Sequence, residues 1–453
     1  MPQLVIARSE ATWRSPSQQS ASKDCHGLRP RSDSQWEVVW GPLLLALLLI
    51  ATGCAPAEEQ PPAPGDPVEI RIDHQKDGAE RDFFEGIIAE YNAAHTDRQV
   101  RILYRETEEL RNLFVIASVG GKGPDLIFGP SDNVSTLALT ESILPLDSVL
   151  SNRYLAEFDE TGVLRWQGQP WMIADQVGNH LAFVYNKALL PSVPETWEEL
   201  IPQLQTIAQN ERCGRNNDRR VYGLTWNYTE PFFFVPFLTG QGGWMMTEDG
   251  RPTLDNEQTA RAVDFVVKLR DEYGLIPGEV DYNVAETQFK EGCAAAIING
   301  PWAWSGYGDA GIDYGIARIP KIAATGQWSA PVVSSKGYSV NVNVPVWKQP
   351  YVRDLLVYLT GSEMQTRMAH ELATIPTRPD VLTTDAVLNN PILQASMRQV
   401  EVGKAMPITP EMRQVWDGMR GPYQLVMNGQ LSPREGAALM QEEVEKRIAD
   451  SAL

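Results

Sequence analysis

VEIRIDHQKDGAERDFFEGIIAEYNAAHTDRQVRILY, residues 68–104, decides the fold. It opens on the strand-like run Val68-Glu-Ile-Arg-Ile72. A helix is expected from about Arg81 to His95, because Phe84, Ile87, Ile88 and Tyr91 recur on one face. Val100-Arg-Ile-Leu-Tyr104 is strand-like again. Downstream, a second helix is expected over Glu108 to Val119, stopped by Gly120-Gly121. Pro124-Asp-Leu-Ile-Phe128 then reads as a short buried strand. Strands alternating with helices predict βαβ units and an α/β fold, with a mainly parallel sheet flanked by helices.

The pattern restarts further along. Trp171-Met-Ile-Ala174, His180-Leu-Ala-Phe-Val-Tyr185, Val221-Tyr-Gly-Leu-Thr225 and Ala294-Ala-Ala-Ile-Ile298 read as strands. Thr196 and Glu199 form a capping-box pattern that opens a helix. Another helix is expected over Glu257 to Tyr273, with Ala262, Phe265, Val266 and Leu269 apolar on one side. These elements predict a second α/β lobe. Gly337-Tyr-Ser-Val-Asn-Val342 is a separate late strand, and helices with caps at Ser362 and Ser432 close the chain.

The N-terminus carries a different signal. Val38 to Gly53 reads VVWGPLLLALLLIATG without a charge. That is shorter than the ~20 apolar residues of a membrane span and fits the apolar core of a secretion signal. Ile50-Ala51-Thr52-Gly53-Cys54 resembles a bacterial lipobox, which implies cleavage before Cys54 and a lipid on its sulfur. An uncleaved anchor helix with an incidental cysteine is the alternative. Residues 1–53 are thus leader and signal, and 1–36, polar and unlike any fold, leave a downstream translation start open. Residues 54–67, rich in Pro, Ala and Glu, are expected to form an extended tether that holds the body off the membrane.

Of the 453 residues, 43% are hydrophobic, and the formal net charge is −19. That length supplies two lobes. The acidic balance excludes a nucleic-acid surface, which needs clustered Lys and Arg. With Cys25 in the leader and Cys54 in the lipobox, Cys213 and Cys293 remain for the body; a disulfide and two buried thiols are both open. Nothing has metal-ligand spacing, and no cofactor is implied.

Five segments, in order, resemble the maltose/maltodextrin-binding members of the family 1 extracellular solute-binding proteins. They are Gly121-Lys-Gly-Pro-Asp-Leu-Ile-Phe128 with Asp132; Val184-Tyr-Asn-Lys-Ala-Leu-Leu-Pro191 with Pro194-Glu-Thr-Trp-Glu-Glu-Leu200; Glu230-Pro-Phe-Phe-Phe234 with Gly242-Gly243; Ala285-Glu-Thr-Gln-Phe-Lys-Glu-Gly292 with Ile298-Asn-Gly-Pro-Trp-Ala-Trp304; and Met406-Pro-Ile-Thr-Pro410 with Glu411-Met412 and Trp416. The resemblance implies two discontinuous lobes, 68–177 with about 338–384 and 178–337 with about 385–453. Crossings are expected near Gln176 to His180, Lys336 to Val342 and Thr377 to Asn390. It further implies hinge closure on a sugar and delivery by a monomer to membrane permease subunits driven by cytoplasmic ATPases.

A sugar ring has an apolar face and a hydroxyl rim, which call for aromatic rings and for carboxylates or amides. By carry-over from the family, Trp302 and Trp416 are stacking candidates, and Phe232 and Phe233 line the cleft. Asp132 and Glu230 accept from hydroxyls, and Asn179 stands at the crossover. Trp304 shares a face with Trp302 if a strand continues there, and packs in the core otherwise. His74 and Glu80 are rim contacts or ordinary surface residues. The chain departs from maltodextrin binders at Gly129 (tryptophan there), Asn133 (arginine), Asn179 (glutamate), Phe232 and Asp417 (both tyrosine). These changes point to a different di- or oligosaccharide.

Two rival classes share some of these features. A secreted glycosidase also has aromatics and paired carboxylates, roughly 5–10 Å apart. No nucleophile–base arrangement, Gly-x-Ser-x-Gly elbow or Walker loop accompanies Asp132 and Glu230. A binder of a non-sugar solute is the other rival; the Trp-rich segments favour rings with apolar faces over cations.

Overall fold

The computed structural model describes residues 59–451. The leader, the lipobox with Cys54 and the first tether residues lie outside them. Val68–His74 pairs in parallel with Arg98–Tyr104 on one side and Leu126–Pro130 on the other. The helix between the first two strands is Gly78–Ala94, three residues longer at its start than periodicity suggests. Asp77 causes the early start: its side chain accepts from the Gly78 N–H and caps the helix.

The sheet then changes direction. Val332–Asn341 lies antiparallel to Leu126–Pro130, and Gln169–Asn179 antiparallel to Val332–Asn341; Val163–Trp166 forms the far edge. The two-lobed α/β class stands, but the sheet is mixed rather than mainly parallel. The reason is long-range. Val332–Asn341 arrives from the other lobe instead of through a local βαβ crossover, so nothing imposes parallel entry. The second sheet, Ala296–Asn299, Ala182–Asn186 and Tyr314–Ala317, is antiparallel. The expected strand at Val221–Thr225 reduces to single parallel bridges, Tyr222 to Ala294 and Thr225 to Ile297. Between them Gly223 is pressed on Leu204, where a Cβ would come within 2.8 Å.

Two separate hydrophobic cores define the lobes. One joins Ile70, Phe84 and Phe128 to Tyr338, Leu355 and Met368. The other joins Phe183, Trp197 and Ile297 to Met412, Tyr423 and Val444. Gln169–Asn179 and Val332–Asn341 run from one to the other, paired at Asn179–Ser334 and Gln176–Lys336 with register shifts on both sides of Lys336. At Gly337 a Cβ would lie 2.3 Å from the Ile173 carbonyl oxygen, so only glycine lets these strands pack so closely. Cys213 and Cys293 form a disulfide, Cα atoms 5.3 Å apart, within the second lobe. The bridged residues are 80 apart in sequence, and closing such a loop contributes about 4.5 kcal/mol in the chain-entropy account. The Thr196 cap forms as expected, accepting from Glu199 N at 3.3 Å. Ser432 and Glu435 complete a reciprocal capping box.

Candidate ligand-binding cleft

Where the crossing strands meet the lobes, a cleft of about 410 Å³ opens. Asp132, Asn179, Glu230, Phe232, Trp302, Trp416 and Glu80 all line it. Each comes from an element end. Asp132 sits in the turn Ser131–Asn133 that follows the strand Leu126–Pro130. Glu230 is the N-cap of Pro231–Gly240, and Phe232 lies in that helix's first turn. Trp302 lies in the first turn of Pro301–Asp309, and Trp416 in Glu411–Met427.

The aromatic residues form a cluster. The Phe232 ring lies 6.4 Å from Trp302, tilted to it, and 6.2 Å from Trp416, edge-on. Trp302 Nε1 donates to Tyr282 Oη at 2.9 Å, which fixes the indole plane. Trp416 Nε1 donates to Asp132 Oδ2 at 3.4 Å and so reaches the opposite lobe. Arg420 holds Glu230 through Nε and Nη2 at 3.0–3.1 Å and also reaches Asp417 at 3.1 Å. Glu230 is therefore pinned, with its remaining acceptor capacity aimed by the guanidinium.

The floor is a buried charge network. Lys76 lies 3.1 Å from Glu80 and 3.3 Å from Asp175; Lys336 lies 3.6 Å from Glu80 and 4.9 Å over the Trp302 ring. Gln176 also donates to Glu80. Burial alone would raise the Glu80 carboxyl, but Lys336 and Lys76 outweigh it and bring it down to about 2. Burial pushes Asp175 up to about 6 and pulls Lys336 below the usual lysine range. Glu80 is thus a fixed anion within the hinge more than a freely offered rim acceptor.

Three expected cleft residues lie elsewhere. Trp304 is fully buried in the second core and donates to the Asn299 carbonyl oxygen. Strand structure ends at Asn299 and a helix starts at Pro301, so residues two apart diverge by about 200° instead of sharing a face. Phe233 turns into the same core while its neighbour Phe232 faces the cleft. His74 is buried edge-on against Phe84, and burial, followed by Lys76, lowers it to about 4.

Other lining residues escaped sequence reading: Asp77, Tyr104, Glu106, Tyr282, Lys336 and the pair Arg413 and Arg420. Helical spacing could have found the arginines, three before and four after Trp416. A lysine inside a buried strand gives no such signal. Among the described residues no cluster of His, Cys, Asp or Glu could hold a metal ion. No helix there is long and apolar enough to cross a membrane.

Two lobes, strands that cross between them, and a ring-and-carboxylate cleft at the crossing define a solute-binding protein of the two-lobed class. Residues 86–395 match the family model described as bacterial extracellular solute-binding protein, and the chain belongs to that family. It is similar to the maltose/maltodextrin-binding domain of Bdellovibrio bacteriovorus solved with maltotriose, at 39% identity and TM-score 0.80, over 84% of this chain and 100% of that one. It also resembles the maltotriose-binding protein of Pyrococcus abyssi, 25% identical over 78% of this chain and 76% of the relative. The galactooligosaccharide-binding protein of Bacillus subtilis is 24% identical over 87% and 93%.

Proposed function

We propose that this protein captures a di- or oligosaccharide of the maltodextrin type in the interlobe cleft and delivers it, chemically unchanged, to a membrane permease with cytoplasmic ATPases. It works as a monomer held at a bacterial membrane by a lipid on Cys54. In this reading lobe 1 comprises 68–177 with about 338–384, and lobe 2 comprises 178–337 with about 385–453. The observation that carries it is the Phe232–Trp302–Trp416 cluster facing Asp132 across the cleft. Flat faces cover sugar rings while Asp132, Glu230 and Asn179 accept from or donate to hydroxyls. Contacts from both lobes favour the closed form and so couple binding to hinge motion. A preference shifted from maltose is in keeping with Gly129, which puts no ring at that place; a Cβ there would come within 3.3 Å of the Asn133 side chain.

The test is a thermal-shift and tryptophan-fluorescence titration against maltose, maltotriose, longer maltodextrins and galactooligosaccharides. A ligand that binds only the folded state raises the melting temperature, and stacking changes the indole emission. A response to oligosaccharides, with the sugar recovered intact, supports the reading. No response to any sugar, or recovery of cleaved glycan, overturns it.

A further inference from the structure

The residues expected to form a free tether are not wholly free. Trp347 Nε1 donates to the Glu59 carbonyl oxygen at 2.9 Å, and Lys348 Nζ lies 3.1 Å from the Glu59 carboxylate. Lys348 is itself buried and shared with Asp125 at 2.8 Å. Glu59 is thus clasped to lobe 1 with its charge compensated. The clasp sits at one pole of that lobe. The N-terminal ends of Val68–His74 and Leu126–Pro130 and the C-terminal end of Val332–Asn341 all point there. The cleft lies at the other ends of those strands, where Asp77 and Asp132 follow them; from Asp125 in the clasp, the five-residue strand Leu126–Pro130 covers about 17 Å on the way to it.

The same pole exposes apolar side chains. Val119 is 74% exposed, Ile116 69% and Val346 78%, with Val342 beside them. Asn343 ties the 342–346 loop to the helix that carries Ile116 and Val119, donating to the Ser118 carbonyl oxygen at 2.8 Å. Val346 immediately precedes the clasping Trp347. Cys54 stands five residues before Glu59, a span that even a fully extended chain covers in about 18 Å.

We propose that, before solute is captured, this pole of lobe 1 docks on the bilayer that holds the lipid on Cys54, with Val119, Ile116, Val342 and Val346 against the headgroup–acyl boundary and the cleft turned toward the incoming solute, and that the clasp and the docking release when the closed form turns its cleft to the permease. This rests on the reading that Cys54 is lipidated. A face this small would not hold a free protein at a membrane. A short clasped tether supplies the effective concentration that makes a weak surface contact persist. Trp347, apolar in body with a polar N–H, suits that boundary.

The experiment uses the mature lipoprotein in phosphatidylcholine–phosphatidylethanolamine vesicles that carry nitroxide-labelled lipid. Single cysteines are introduced by Val346→Cys, Val119→Cys and, as a control on lobe 2, Val284→Cys, each labelled with a small fluorophore. The native body cysteines are bonded to each other and do not react. Mass spectrometry of the N-terminal peptide first reads the lipid on Cys54. The expected result is several-fold stronger quenching at 346 and 119 than at 284. Trp347→Ala or Glu59→Gln, which loosen the clasp, should bring quenching at 119 toward the control while the protein still sediments with vesicles. Lipid on Cys54 with equal quenching at the three sites overturns the docking and leaves the anchor reading intact. An N-terminal peptide without lipid overturns both.

Discussion

The two walls of the cleft are built from different chemistry. Lobe 2 contributes the rings Phe232, Tyr282, Trp302 and Trp416; lobe 1 contributes a single ring, Tyr104, against the carboxylates Asp77, Glu80, Glu106 and Asp132. One wall is rich in faces, with Glu230 and Asn179 as its polar members, and the other is rich in acceptors. In the proposed reading, stacking on the first wall holds the sugar and the added acceptors of the second favour closure. Gly129 fits the division, since it leaves lobe 1 without a ring at the end of the strand that leads to Asp132.

The floor shared by both walls is where the largest effect is expected. Glu80→Gln leaves Lys76 and Lys336 with Asp175 as their nearby carboxylate. Breaking such a buried network costs about 3–5 kcal/mol. Chemical denaturation should show the loss in stability for the whole body. If stability is unchanged, the walls are not joined through this network. Acid gives the next largest effect. His74 and His180 are kept neutral in the fold, at about 4 and about 3, chiefly by burial. The unfolded chain takes up those protons near pH 6.5, so their contribution is present above that pH and is lost on acidification toward the folded values. The slope is up to about 1.4 kcal/mol per pH unit per histidine. Asp175, raised to about 6, opposes this between its folded and unfolded values, because the folded state there holds the extra proton. His180→Gln should flatten the stability profile between about pH 7 and about pH 5. An unaltered slope would mean that the hinge histidine is not the group that titrates.

What the sequence made legible was local. Strand and helix periodicity placed the elements from Val68 to Phe128 that lead to Asp132, and the Thr196 cap fell where its side chain implied. What it concealed depends on contacts between distant residues. No local pattern says that Val332–Asn341 enters its sheet antiparallel, or that Tyr222 and Thr225 pair only through single bridges. The site shows the same limit. Trp302 and Trp304 look alike in sequence, and only the helix start at Pro301 sends one to the cleft and the other to the core. Lys336 was hidden because a charge inside a buried strand is stable only beside partners that arrive from elsewhere in the chain.

The aromatic wall and the carboxylate wall can be separated by substitution. Trp302→Ala and Trp416→Ala should each weaken oligosaccharide binding by about 1–3 kcal/mol, the scale of one large buried apolar side chain. Calorimetric titration with maltotriose measures this. Trp304→Phe should leave affinity alone and lower only stability, since that indole belongs to the core. Unchanged affinity in both cleft variants would remove the stacking wall from the mechanism.

The smallest effect addresses a direct link between the walls, the Trp416 to Asp132 hydrogen bond at 3.4 Å. Asp132→Asn keeps the shape and removes the charge, whereas Trp416→Phe keeps a ring and removes the donor. If each wall acts alone, the two losses in affinity add. If the bond helps hold the lobes together around the ligand, the double variant loses less than the sum. The difference should be about 0.5–1 kcal/mol, the net scale of one hydrogen bond, somewhat more for a charged acceptor. That coupling should vanish for stability in the absence of sugar if an opened cleft separates the partners, and persist if the bond also forms without ligand. Measuring the cycle both ways therefore tells whether closure is made by the sugar or is already present before it arrives.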